Sequence, residues 1–214
     1  MPNKSTFGYV GQVSSETVAA VTSPLAASTT RNRRQEETFR KVLSAGVEML
    51  REKSYADLTV RAVAARAKVA PATAYTYFSS KNHLIAEVYL DLVRQVPYFT
   101  DVNEPMPSRV NQALRNLALV VADEPEVAAA CTAALLSGSS DPAVRTVRDR
   151  IGAEIHRRIT SAFGPEADPQ KVSALEMTFF GALVNAGSGA FTYHQITDRL
   201  AYVVSLILES GVTP

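Results

Sequence analysis

The chain has 214 residues, 46% of them apolar, with one cysteine and a formal net charge of +1. That size and apolar share allow a substantial core in one large or two small domains. The lone Cys131 rules out an internal disulfide and fits a reducing, cytoplasmic setting, and no apolar run reaches the roughly 18 residues a membrane span needs.

The small net charge divides unevenly. Residues 31–95 carry twelve Lys/Arg against seven Asp/Glu, and the remainder ten against fourteen. A basic front and an acidic back point any polyanionic partner to the front.

Residues 1–32 begin with a stretch rich in Ser, Thr, Ala and Gly that has no sustained periodicity, and they are read as a disordered arm. TVAAVTSPLAAS (17–28) has one upstream lysine, a central proline and no Leu-rich stretch, so it is not read as a signal peptide. The arm runs into a basic cluster, Arg31, Arg33 and Arg34. Such a cluster either enters a neighbouring minor groove or adds only non-specific attraction.

Helix then follows helix. Phe39, Val42, Leu43, Gly46 and Leu50 share one face of an amphipathic helix. "SYADLT" breaks it, and Thr59 is a good N-cap for a short helix carrying Val60, Val63, Ala64 and Ala67. Pro71 suits the first turn of the next short helix, where its missing N–H costs nothing. Ser79 or Ser80 caps a longer helix with Leu84, Val88, Leu92 and Val93, which Pro97 ends.

The back half reads as helices around Val110–Val121 and Glu124–Leu136. Asp141-Pro142 and Asp168-Pro169 each combine an N-cap with an N1 proline, starting two long helices. A last helix through Ile196, Leu200, Val203, Val204, Ile207 and Leu208 stops at Gly211. The fold class is therefore all-α, with about nine helices.

The two short helices, joined by Lys68-Val69-Ala70, make a helix-turn-helix. The second of such a pair lies in the major groove with its N-terminal residues against base edges. "KVAPATAYTYFSSK" (68–81) supplies polar and small residues where a core helix would carry Leu and Ile. Ala74 and Phe78 face inward, Val69 staples onto Ala74, and Pro71, Ala72, Thr73, Thr76 and Tyr77 point outward or sideways, with Tyr75 at the edge. Threonine methyls and proline carbons contact thymine methyls, and hydroxyls reach bases or phosphates.

These residues carry a resemblance. "TVRAVAARAKVAPATAYTYFSSKNHLIAEV" (59–88) resembles the DNA-binding segment of the TetR family of bacterial repressors, with Thr59, Val63, Ala64, Ala67, Val69, Thr73, Tyr75, Tyr77, Phe78, Lys81 and Leu84 in register. Two positions depart. Lys68 stands where the family has Gly, in a turn that often needs positive φ, and Ala70 replaces the Ser that caps the recognition helix, a local cost of about 1 kcal/mol.

The resemblance implies a DNA-binding domain over 33–80 and a larger helical domain for effector binding and dimerisation over 81–214. It implies that Thr59, Tyr77 and Lys81 hold phosphates and that Pro71, Ala72, Thr73 and Tyr75 face bases. Tyr75 has the alternative of packing between helices. Lys81, Arg61 and Arg66 have that of a wet surface.

By the same resemblance, subunits pair through the last two helices on a double-stranded, near-palindromic operator. The expected dimer face is the small-residue ridge Ala174, Thr178, Ala182, Ala186 with Leu200, Val203, Val204 and Ile207; a stripe packing inside one subunit is the alternative. The interior holds a pocket for a small lipophilic effector, expected near Leu117, Val121, Cys131, Leu135, Met177, Phe180 and Val184. The alternatives are a closed core and a back half that senses a protein partner or no effector, in an architectural role.

No enzyme is expected. His194 and Asp198 are four apart, but two ligands make no metal site, and neither a nucleophile elbow nor a phosphate-binding Gly loop occurs. No cofactor is called for. The flanks of Cys131 hold nothing to lower its pKa.

Overall fold

A computed structural model of the chain describes residues 24–98, 101, 103–137, 140–165 and 167–209, with backbone alone for 24–31. The chain divides after Glu36, and the packing below is that of the unit from Glu37 onward. Among the described residues there are nine helices and no strand.

Helix α1 spans Pro24–Glu52. The backbone of 24–32 is thus helical, where the sequence suggested the end of an arm; the start of that arm lies outside the described residues. Val42, Leu43, Ala45, Met49 and Leu50 are buried along one side of α1.

Helix α2 (Val60–Arg66) is capped by Thr59, whose Oγ1 accepts the Ala62 N–H at 3.1 Å. It ends in a Schellman closure: the Val69 N–H reaches Ala64 O and the Lys68 N–H reaches Ala65 O, with Lys68 at φ 56°. The positive φ expected at this turn is therefore present, on a lysine. Helix α3 (Pro71–Tyr77) starts without a side-chain cap, as the Ala70 departure implies.

Helix α4 (Lys81–Gln95) is capped by Ser80, whose Oγ accepts the His83 N–H at 3.1 Å. Helices α5 (Met106–Leu119) and α6 (Pro125–Ser137) follow. Helices α7 (Pro142–Phe163) and α8 (Pro169–Gly187) begin at the two Asp-Pro pairs, each aspartate accepting a backbone N–H of the first turn. Helix α9 covers Tyr193–Glu209, and its expected stop at Gly211 lies outside the described residues.

Helix α4 ties the short helices to the body. Leu84, Ile85, Val88, Leu90 and Val93 are buried, and α4 packs on α6 and α7. Each such side chain contributes about 1.5–3 kcal/mol when fully buried.

Polar links fix its register. Glu87 pairs with Arg150 of α7 at 2.5 Å, and Ser80 Oγ donates to Asp141 at 2.8 Å. Glu154 of α7 gathers Arg94, Arg157 and Arg158, and Arg158 donates to the carbonyls of Arg94 and Val96 at the C-terminal end of α4.

Helices α6 and α8 approach closely where α8 ends. A Cβ on Gly187 would stand 2.1 Å from Thr132 Oγ1, so this position needs glycine for room.

Helices α8 and α9 pack against each other, which takes three of the residues expected on a dimer face into the protomer's own core. Leu200, Val204 and Ala186 are buried in the protomer's own core, while Ala174, Thr178, Ala182, Val203 and Ile207 are half-buried. The reason is helical drift. Every-fourth-residue steps turn by about 40° beyond a full circle, so the ridge winds from the flank at Ala174 to the core at Ala186. The large apolar side chains left outward are Met177, Phe180 and Val184 on α8 and Tyr202 and Leu206 on α9.

Candidate nucleic-acid interface

The reading head is built around one aromatic anchor. Phe78 is fully buried and stacks on Phe39 of α1, ring centroids 5.1 Å apart. Ala74, also fully buried, lets α3 sit close to its support. These two residues turn the opposite side of α3 to solvent, and Pro71, Ala72, Thr73, Tyr75 and Thr76 are all exposed.

Tyr75 is 52% exposed, so its ring does not pack between helices. Tyr77 is half-buried, its ring edge-on to Phe39 at 6.1 Å. Its ring therefore supports the head as well as flanking it.

The two threonines differ in a way that spacing does not reveal. Thr76 Oγ1 donates to Thr73 O at 2.7 Å, which uses its proton inside the helix. Thr73 is exposed, and its hydroxyl meets no partner among the described residues. Thr73 can therefore donate and accept, whereas Thr76 offers lone pairs and a methyl. Thr59 accepts the cap bond and keeps its own O–H as a donor.

The cations sort similarly. Arg61 and Lys68 are exposed at the rim of the head. Arg66 is held by Glu52 at 2.5 Å and by Glu48 at 3.7 Å.

Lys81, expected on phosphate, donates to Tyr55 O at 2.9 Å and lies 4.1 Å above the Tyr55 ring centre. Asn82 accepts from the Tyr55 hydroxyl. Lys81 and Asn82 thus clamp the start of α4 to the loop between α1 and α2. The phosphate motif of the sequence marked Lys81 but not this clamp, because Tyr55 lies 26 residues away in the chain.

Behind the head, Tyr89 of α4 forms part of the wall of a cavity of about 260 Å³ bounded by α4, α6, α7, α8 and the start of α9. Val121, Cys131, Leu135, Phe180 and Val184 line it as expected. Leu117 lies in the closed core instead, and Met177 is 74% exposed on the outer side of α8 and does not line the cavity. Met177 fails because it stands three residues before Phe180, about 60° round the helix, away from the body.

Arg148, Tyr193 and Thr132 also line the cavity, and nothing in the spacing singled them out. Burial pushes the Tyr89 phenol up and the Cys131 thiol up to about 12, so both stay protonated at neutral pH. Cys131 is therefore an inert buried thiol.

The profile of bacterial regulatory proteins of the tetR family matches residues 42–88, which run from the buried side of α1 into α4. HTH-type transcriptional regulators of Mycobacterium bovis and Mycobacterium tuberculosis are each 77% identical over 193 residues, spanning 90% of this chain and 91% of theirs. The chain belongs to the TetR family.

Solved TetR-family folds agree. A TetR transcriptional regulator from Rhodococcus sp. RHA1 superposes with a TM-score of 0.70 at 21% identity, covering 84% of this chain and 99% of its own. The transcriptional regulator FadR from Bacillus subtilis, solved in complex with stearoyl-CoA, gives 0.55 at 15% identity, covering 78% and 97%. At such identities the likeness is one of fold.

The chain is thus a TetR-family helix-turn-helix transcriptional regulator. Its relatives and its fold are those of regulators rather than of enzymes. Among the described residues no helix is long and apolar enough to cross a membrane.

Proposed function

We propose that this TetR-family chain is a cytoplasmic repressor that binds a near-palindromic duplex as a homodimer and leaves it when a small lipophilic effector fills the cavity behind α4. The observation that carries the reading is the uncovered face of α3, five exposed side chains held outward by buried Ala74 and Phe78. Pro71, Ala72, Thr73 and Tyr75 face base edges. Thr59, Arg61 and Lys68 meet phosphates from the rim, and Lys81 acts chiefly by holding α4 to the Tyr55 loop.

A single α3 of seven residues reads few base pairs, so two heads are needed for a specific site. The outward side chains Met177, Phe180 and Val184 on α8 and Tyr202 and Leu206 on α9 support pairing there. Large apolar residues gathered on adjacent helices mark interaction surfaces. Phe180 and Val184 also line the cavity, so effector and partner subunit meet at the same two side chains.

Release follows from α4. It carries Tyr89 in the cavity wall, its cap Ser80 and Glu87 bonded to Asp141 and Arg150, and Lys81 and Asn82 bonded to Tyr55 in the loop that leads into the head. An effector that fits only one position of α4 shifts the population toward it, by no more than its differential affinity.

The test is binding of the purified chain to duplexes from the region upstream of its own gene and to scrambled duplexes of the same composition. Specific binding by a dimer, weakening steeply with salt, is expected. Equal affinity for both duplexes at moderate salt overturns the reading.

A further inference from the structure

The wall of the cavity behind α4 contains one charged residue among otherwise apolar or neutral side chains, Arg148 of α7. The other arginines of α7 in ion pairs are matched: Arg150 with Glu87, and Arg157 and Arg158 with Glu154. Arg148 is different. Its Nε and Nη2 are covered by protein, yet no acceptor among the described residues reaches either.

Those two nitrogens form one edge of the planar guanidinium, with two nearly parallel N–H bonds. That edge is the one a carboxylate grips with both oxygens. Buried donors left unpaired cost about 1–3 kcal/mol, more on a charged group.

The wall offers no anion of its own. Burial keeps Tyr89, Cys131 and Tyr193 protonated, and Thr132 is neutral. The rest of the lining is hydrocarbon, including Leu135, Ile151 and Leu183. A long unbranched side chain can re-aim its fork by rotation while α7 stays in place.

We propose that the cavity takes an amphipathic carboxylate, one carboxyl group on a compact apolar body, gripped side-on by Arg148. The inference deepens the effector reading above and rests on it. The size of the cavity, about 260 Å³, is near the lower end of ligand pockets, typically about 300–1,000 Å³. That favours a short chain or a single ring over a long acyl group. A neutral lipophile of equal size would leave the guanidinium edge unpaired.

The experiment titrates the full-length protein by calorimetry with octanoate, 1-octanol and octanamide. Octanoate is expected to bind at least about tenfold more tightly than either neutral analogue, as one charge-assisted pair implies. Arg148→Met should bring octanoate down to the level of octanol and leave octanol unchanged. Arg148→Lys, which keeps the charge but lacks the fork, should fall between. The unliganded Arg148→Met protein should melt no lower than wild type, since it loses unpaired buried donors.

Equal binding of octanoate and octanol by wild type, no binding of either, or an undiminished octanoate preference in Arg148→Met each overturns the proposal. If Arg148→Met does not fold, the wild-type ratio and Arg148→Lys decide. DNA affinity is measured alongside. Octanoate that binds through Arg148 but leaves DNA affinity unchanged upholds the site and overturns the effector reading. Specific DNA binding without octanoate binding overturns the site alone.

Discussion

The α2–α3 head and the α5–α9 body are both helical, but they use their side chains in opposite directions. The head keeps a small interior, Val60, Val63 and Ala64 of α2 with Ala74 and Phe78 against Phe39, and turns the first residues of α3, Pro71 to Thr73, with Tyr75 and Thr76, to solvent. The body buries Leu114, Leu117, Ile151, Ile155 and Phe179, and what it leaves open is a cavity within. One region is a surface held by a few anchors, and the other is a packed interior that leaves a cavity beside α4. Each anchor in the head should therefore matter more to function than to bulk, and each close contact in the body more to shape.

The sharpest way to break this contrast is at the anchor. Phe78→Ala removes a fully buried ring, and such truncations cost about 3–5 kcal/mol. DNA binding should vanish while the helical content of the body survives, as circular dichroism and DNA titration together can show. Retained specific binding would mean that α3 is held by something other than this stack.

The counterpart in the body is Gly187→Ala. Its new Cβ would lie 2.1 Å from Thr132 Oγ1, a short stiff side chain that cannot swing clear. Overpacking of this kind costs about 1–3 kcal/mol. Melting temperature should drop, Thr132→Ala should partly restore it, and DNA affinity of the folded fraction should change little.

A smaller effect separates stability from function within the head. Lys68 holds φ 56°, which is strained for a side-chain-bearing residue. Lys68→Gly should stabilise the protein by about 1 kcal/mol, the αL strain relieved less the entropy glycine adds. It should also weaken binding to all duplexes alike by removing one rim cation. Thermal melts and DNA titration read the two effects independently.

The smallest expected effect tests the joint between the regions. Burial pushes the Glu87 carboxyl up, but His83 and Arg150 outweigh it and hold it below its usual 4.5. For Glu154, burial is likewise outweighed by Arg158, Arg157 and Arg94. Groups depressed in the fold stabilise it above their unfolded pKa, and that contribution is lost as pH falls through the folded value. Stability should hold from pH 7 to about 5 and decline below about 4.5. Glu87→Gln should be less stable at pH 7 and decline more shallowly, which melts across this range would show.

The head was legible from sequence because its geometry is local. Ala74 to Phe78 is one helical step, Thr59 caps its own helix, and Lys68 closes a turn whose bonds span five residues. Spacing along the chain determines all of these. The body was legible only in outline.

The Asp-Pro starts of α7 and α8 could be read off, but which way Met177 or Leu200 faces depends on helices far away in the chain. Met177 reads as apolar and lies outside. Leu200 and Val204 read as a partner surface and lie inside. Arg148 looks like any exposed helix arginine until α4, α6 and α8 close around it. Lys81 fits a phosphate motif, and its bond to Tyr55 O exists only in three dimensions.

In the function proposed above, the outward face of α3 reads bases while the residues beneath and behind it only hold it there. Selection from a pool of random duplexes, run with wild type, Thr73→Ala and Lys81→Ala, tests it most directly. Thr73 is exposed and its hydroxyl meets no partner among the described residues, so Thr73→Ala should enrich a site altered at the same position of each half. Lys81→Ala should enrich the wild-type site at lower affinity. If Thr73→Ala enriches the wild-type site unchanged, the face of α3 around Thr73 does not read sequence, and the proposed role of α3 fails.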